Sequence, residues 1–309
     1  MIEAIACAKI NLSLRVGSVG VGGLHRIDGI FQSIGWVDHL QIDHAERDSL
    51  QSRHGGEVIA GWDNLAWQAL VAVREQVGSS AQVEIILDKT IPAAAGLGGG
   101  SADAAASLAL SGKLLNLDRT RLAGLAVGLG SDVPFCFRGG TIAVGGTGAE
   151  LSEMPAAAGF AVAVVAPPIE LATGDVYSRW DALDEPTGPP VAGSDLPPAL
   201  RAEGPLINDL YPAAAAAASS LEDWRAELAD RWGRPVLMTG SGPTLFAFFV
   251  DEAEARGAVE DTPAGARAKA AALPVPFGWA MRDGDQLTAS VSLDETAEDL
   301  VRSLLTVVP

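Results

Sequence analysis

Cysteine, positive charge and long apolar runs are all scarce in this chain. Two cysteines in 309 residues, Cys7 and Cys136, cannot build a disulfide framework and fit a reducing compartment. No basic segment followed by an apolar one opens the sequence, so no secretory signal is expected and a cytoplasmic setting is. The most apolar stretch, residues 156–169, is too short to span a bilayer and closes on Pro167 and Pro168; it reads as a core strand. Lysine and arginine number 21 against 39 acidic residues, a formal net charge of −18. That balance excludes broad binding to nucleic acid or to an anionic membrane. Any phosphate site must therefore create its own local positive potential, and Lys9, Lys89, Lys113 and Lys269 are the only lysines available for it.

Apolar residues, by contrast, make up 48% of the chain, enough for a sizeable core and two domains of ordinary size. Residues 8–16 alternate: Ile10, Leu12, Leu14 and Val16 would share one face of a strand, and Lys9, Asn11, Ser13 and Arg15 the other. Residues 17–29 form a glycine-rich loop that contains His25, followed by a strand over 30–42. Helices are expected over 64–77, 101–110, 119–129, 211–228 and, interrupted near Pro263, 251–272. Further strands are expected over 81–87, 141–144, 160–165, 235–238 and 244–250, with a proline-rich excursion over 181–198. Strands and helices mix without regular alternation, which favours an α+β fold over a doubly wound sheet. A boundary near residue 155 gives domains over 1–155 and 156–285, and 286–309 is an extension with an acidic amphipathic helix.

Residues 92–105 carry the clearest chemistry. Four glycines, Gly96, Gly98, Gly99 and Gly100, run into a small-residue helix with Ser101 as a candidate N-cap. Glycines permit left-handed angles and close approach, and the first turn of a helix offers unpaired N–H groups to an anion. No lysine follows as in a P-loop, and the spacing fails the dinucleotide fingerprint. Lys9 and Asn11, two apart on a strand, present a cation and an amide together, or else belong to a solvated face. Asp132, in the turn Gly130-Ser131-Asp132-Val133-Pro134, suits proton acceptance from a hydroxyl and equally suits capping the turn. Lys89 precedes the glycine loop and is either within reach of a nucleotide or exposed. Gly240-Ser241-Gly242 lies between two strands, where a hairpin turn is the plain alternative. The spacing of His39 and His44 suits no single face of a helix or strand, so no metal site is expected there.

Three separated pieces, Ala8-Lys9-Ile10-Asn11-Leu12, residues 92–105 and Thr239-Gly240-Ser241-Gly242, resemble in order and separation the three motifs of the GHMP small-molecule kinases. Gly23-Leu24-His25 followed by Phe31-Gln32, Asn64-Leu65, Asn208-Asp209-Leu210 and the turn through Phe135 resemble the branch that acts on a cytidine-diphosphate sugar alcohol of the non-mevalonate isoprenoid route. The likeness runs over about residues 8–250. It implies a two-domain α+β fold with the active site in the cleft between the domains, ATP as phosphoryl donor, and Mg²⁺ bridging phosphate oxygens without a ligand set of the protein's own.

On this resemblance the phosphates would lie against Pro92, Gly96, Gly98, Gly99, Gly100 and Ser101, with Asn64 and Lys89 near the adenine and ribose. Asp132 would orient or deprotonate the acceptor hydroxyl, and Lys9 would stabilise charge near the transferred phosphoryl. Asn11, Leu24, His25 and Tyr177 would bind the substrate, His25 reading the cytosine. Leu24 departs from the family, which usually has a base-stacking tyrosine there, whereas Tyr177 resembles the second aromatic wall. A kinase of the same family for homoserine or mevalonate, or a silent ligand-binding member, stays open at this point.

Overall fold

The computed structural model describes residues 1–306 apart from 21, 55–56 and 60, and only the backbone of 54 and 57–59. Val21 of the glycine loop and residues 307–309 of the extension therefore lie outside the described residues. Two long strands open the chain, β1 (Ile2–Val19) and β2 (His25–His44), so most of the expected loop over 17–29 is strand. Then come β3 (Ser49–His54), β4 (Glu57–Ile59), helix α1 (Leu65–Val77) and β5 (Val83–Lys89). Helices α2 (Gly99–Leu115), α3 (Arg119–Leu129) and α4 (Val133–Arg138) precede β6 (Thr141–Gly146) and β7 (Glu150–Glu153).

A second group follows: β8 (Ala161–Ala166), α5 (Thr173–Ala182), α6 (Tyr211–Ala217), α7 (Ser220–Trp232), β9 (Leu237–Met238), β10 (Leu245–Phe249), α8 (Glu252–Glu260) and β11 (Ala268–Ala272). The chain closes with β12 (Trp279–Asp283), β13 (Gln286–Ala289) and α9 (Glu295–Thr306). Among the described residues the strands form two sheets, one of nine strands and one of four. The mixed α+β class is as the patterning implied. No helix among the described residues is long and apolar enough to cross a membrane.

The large sheet is organised by β2. Its first half pairs with β6 and its second half with β5, both antiparallel, while β1 lies along its whole length. Helix α2 lies over β1 and β2 with α1 beside it. Its run Ala102 to Ala106 is buried, and side chains that small let a helix approach a sheet closely. The small sheet runs β11-β8-β10-β9. Every residue of β8 is buried, which explains its unbroken alanine and valine. Ala8, Ile10 and Leu12 of β1 share a core cluster with Val162 and Val164 of β8 and Phe246 and Phe248 of β10. This cluster joins the two sheets.

Two expectations are corrected. Residues 268–272 are a strand, not the tail of a helix: alanine favours a helix locally, but pairing along β8 decides. The helix expected over 211–228 is two helices, α6 and α7, broken at Ala218. The hairpin β12–β13 pairs with β1 in the large sheet, and the boundary expected at residue 285 falls in its turn. Helix α9 covers the face of that sheet opposite α2, sharing a cluster through Val301 and Leu305 with Ile5, Cys7 and Val37. Burying each such aliphatic side chain contributes roughly 1.5–3 kcal/mol.

Candidate active site

The glycine loop meets its helix at Gly98, which occupies the N-cap position of α2 with φ +68° and no capping side chain. Ser101 therefore is not the N-cap; it lies in the first turn. The N–H groups of Gly99, Gly100 and Ser101 fall among those a helix cannot pair internally. Only glycine fits at two points here. A Cβ on Gly96 (φ +78°) would stand 2.5 Å from the Thr239 carbonyl oxygen, and one on Gly98 2.9 Å from Lys9 Cγ. The glycines thus let β1, the loop over 239–242 and the start of α2 converge.

Lys9 and Asn11 reach this junction because β1 is irregular. Its register against β2 shifts between Cys7 and Ala8 and again between Asn11 and Ser13. Bulges of this kind re-aim side chains. Ile10 and Leu12 accordingly pack toward the small sheet, while Leu14 joins the helix-side core, so the strict alternation expected over 8–16 fails beyond Asn11. Lys9 is 3% exposed, which rules out a solvated face. Its ammonium donates to Asn11 Oδ1 at 2.8 Å and lies 3.4 Å from Asp132 Oδ2.

Asp132 occupies the N-cap position of α4 but makes no capping hydrogen bond, so the turn-capping reading does not hold. The Thr239 hydroxyl accepts from the Asn11 N–H at 2.9 Å and donates to Asn11 Oδ1 at 3.0 Å. Asn208 Nδ2 in turn donates to the carbonyls of Met238 and Gly240. The loop over 239–242 is therefore a clamp on Asn11 rather than a plain hairpin turn.

His25, at the start of β2, is held by three neighbours. Its ring stacks on Tyr177 at 5.1 Å and meets Trp180 edge-on at 5.6 Å. Its Nε2 lies 3.3 Å from Asp181 Oδ2. Burial, and then the nearby Asp132 charge, push the Tyr177 hydroxyl up to about 12, so it stays protonated at neutral pH. Leu24 is 57% exposed.

A cavity of about 770 Å³ is lined by every candidate residue except Asn64 and Lys89. Asn64 instead caps α1, its Oδ1 accepting from the Ala66 N–H at 2.9 Å. Lys89 lies under the glycine loop, 2.5 Å from both Asp38 Oδ2 and Asp103 Oδ2. It is neither exposed nor aimed into the cavity. Burial disfavours its ammonium, but the two carboxylates outweigh that and raise its pKa. Asp38 also accepts from the N–H groups of Thr90 and Ile91, pinning the entry to the loop onto β2.

Sequence reasoning missed this triad, the Thr239 clamp and Asp181. Only Asp181 carried a signal, its spacing of one helical turn from Tyr177. The charged and titratable side chains among the described residues of the cavity wall are Lys9, His25, Asp132, Tyr177 and Asp181, with no arginine among them. An anion bound here must rely on backbone N–H groups, Lys9 and a cation of its own.

The family model for the N-terminal domain of GHMP kinases matches residues 64–140. The chain is 34% identical over 253 residues to the 4-diphosphocytidyl-2-C-methyl-D-erythritol kinase of Caldanaerobacter subterraneus subsp. tengcongensis, covering 80% of this chain and 87% of that protein. It is 36% identical over 287 residues to the enzyme of the same name from Nocardia farcinica, covering 88% and 93%. A crystal structure of a 4-(cytidine 5′-diphospho)-2C-methyl-D-erythritol kinase superposes with a TM-score of 0.71 at 30% identity, over 88% of this chain and 99% of that one.

Proposed function

The chain belongs to the GHMP kinases and, within them, to the 4-diphosphocytidyl-2-C-methyl-D-erythritol kinases, and from this premise we propose how its cavity works. It is an ATP-dependent small-molecule kinase that phosphorylates the C2 hydroxyl of 4-(cytidine 5′-diphospho)-2-C-methyl-D-erythritol, a step toward isoprenoid precursors. The relatives' names favour this acceptor over homoserine or mevalonate and over a silent binder. The observation that carries the mechanism is the buried Lys9 ammonium 3.4 Å from Asp132, on the wall of the cavity that the α2 N-terminus also lines.

In this reading the acceptor hydroxyl faces Asp132, which takes its proton as the oxygen bonds to the γ-phosphorus. The bond from that phosphorus to the bridging oxygen breaks, and ADP leaves. Phosphoryl transfer demands positioning and charge neutralisation more than covalent help. Lys9 supplies a fixed positive charge beside the reacting oxygens. The N–H groups of Gly99 to Ser101 receive phosphate oxygens, and Pro92 and Gly96 shape the approach. Asn11, held by Thr239, keeps Lys9 in place. Leu24, His25 and Tyr177 face the cytidine end.

Mg²⁺ fits as a passenger of the nucleotide. Among the described residues no cluster of three histidine, cysteine or acidic side chains could hold a metal alone. The lone lysine at the wall is matched by Asp132, so a triphosphate brings charge the side chains do not neutralise. Ser101 and Asp132 are the wall oxygens that would hold the ion, which adds charge neutralisation. We also propose that β12, β13 and α9 belong with residues 1–155, since they pair with β1 or share its core. A cytoplasmic setting is part of the proposal, supported by Cys7 and Cys136 being free and buried.

The test is ADP release with the cytidylyl substrate, ATP and Mg²⁺, alongside homoserine and mevalonate. Turnover is expected with the cytidylyl substrate alone. Asp132→Asn and Lys9→Ala should each lose kcat at least ~100-fold, the usual scale for a positioned acid–base or electrostatic group. Near-normal kcat in either folded variant would remove that residue from the chemistry.

A further inference from the structure

We propose that Asp38 and Asp103 are positioning residues for ATP: bridged by Lys89, they form a buried brace that fixes the start of α2, where the phosphates are received. The inference rests on the kinase reading above and deepens it. Asp38, on β2, is wholly buried and organises the entry to the glycine loop. Its Oδ1 accepts from the N–H groups of Thr90 and Ile91 at 2.6 and 2.8 Å, and its Oδ2 lies 2.5 Å from Lys89 Nζ. The Thr90 hydroxyl donates to the Val37 carbonyl at 2.6 Å, so two consecutive residues of β2 hold the chain just after β5. On its other side Lys89 Nζ meets Asp103 Oδ2 of α2, also at 2.5 Å. One ammonium, with three N–H bonds to give, thus ties the sheet to the helix.

Asp103 interrupts a buried run of alanines, Ala102 and Ala104 to Ala106. Methyl groups pack against a sheet but specify neither the rotation nor the advance of a helix, whereas a buried ion pair fixes register. Asp103 follows Gly99 by four residues, which puts both on one face of α2. That face rests on the brace: a Cβ on Gly99 would stand 3.0 Å from Ile91 Cγ2 and 3.3 Å from Lys89 Nζ. The unpaired N–H groups of the first turn point along the helix axis, so the brace holds the helix end without covering it. Donors aimed in advance at phosphate oxygens need no reorganisation when the nucleotide arrives. The brace supplies that aim from beneath, while Lys9 and Asp132 act from the cavity.

The experiment measures ATP Kd by calorimetry with Mg²⁺, and kcat and both KM values, in the wild type, Lys89→Met, Asp103→Ala, Asp103→Asn and the double variant Lys89→Met with Asp103→Ala. Lys89→Met and Asp103→Ala should each weaken ATP at least ~tenfold, since a displacement of about 1 Å costs up to ~100-fold. The KM of the cytidylyl substrate should move less than ~twofold. The double variant should bind ATP no worse than the weaker single one, because both act through one contact. Asp103→Asn keeps an oxygen for Lys89 and should recover most of the loss seen in Asp103→Ala. Additive losses would make Lys89 a direct contact of the nucleotide and overturn the proposal. Asp103→Ala leaves Lys89 balanced by Asp38, so it decides the matter even if Lys89→Met does not fold: ATP affinity equal to that of Asp103→Asn would also overturn it. Absence of turnover in the wild type would overturn the kinase reading instead, and ATP Kd, which needs no turnover, keeps the two results apart.

Discussion

Replacing Asp103 with asparagine should stabilise this protein and flatten its pH profile. Asp103 is buried in α2, with Oδ2 2.5 Å from Lys89 Nζ and Oδ1 without a partner. Burial pushes its carboxyl up to about 8, Lys89 pulling it down and Asp38 pushing it further up. Two carboxylates thus face one ammonium in a dry site, and a proton is held between them. An unfolded chain releases that proton near the ordinary carboxyl value of 3.8, whereas the folded one keeps it until about 8. Across that window the folded state binds more protons, so stability falls as pH rises. At pH 7 the difference is about three units, an upper bound of about 4 kcal/mol at ~1.4 kcal/mol per unit.

Asparagine keeps an oxygen for Lys89 and offers N–H to Asp38 but has no charge to desolvate. Denaturation midpoints of wild type and Asp103→Asn at pH 5, 7 and 8.5 make the test. The variant should gain stability relative to wild type as pH rises. Parallel profiles, or a variant less stable at every pH, would refute the argument.

Two further substitutions address the loop and the base. Gly96→Ala places a methyl 2.5 Å from the Thr239 carbonyl at φ +78°, and the left-handed angle alone costs roughly 1–2 kcal/mol. ATP KM should rise at least ~tenfold, which is 1.4 kcal/mol, and an unchanged value would remove this loop from phosphate binding. Leu24→Tyr supplies the missing aromatic face; base stacking is worth ~1–3 kcal/mol, so substrate KM should fall ~5-fold or more with ATP KM unchanged. A substrate KM that does not move would place residue 24 away from the base.

What could be read from the residues alone was what depends on near neighbours. A run of glycines before small residues needs no partner to announce left-handed angles and an open helix end, and the structure has both. The pairing of Lys9 with Asn11 follows from a period of two and survives. The same period fails at Leu14, because a bulge is set by register against β2, which the pattern of β1 does not contain. Residues 268–272 depart from their local pattern for a similar reason: alanine carries a local preference for helix, and the edge of β8 overrides it.

The site was legible where motifs supply whole surfaces and illegible where single charges find distant partners. Lys89 stands beside a phosphate loop, yet it belongs to carboxylates 51 and 14 residues away. Nothing in its neighbourhood along the chain distinguishes it from a lysine that reaches a nucleotide. Asn64 matched a motif and proved to be a helix cap. His25 meets Asp181 only because the β1–β2 hairpin and α5 converge on one cavity. The sequence by itself determined the class of fold, the glycine cradle and the family. Only tertiary structure decided which charges pair and which face the cavity. Local conformation depends on backbone sterics and short periods, while a Coulombic partner is chosen by proximity and burial, and both exist only once the sheets have closed.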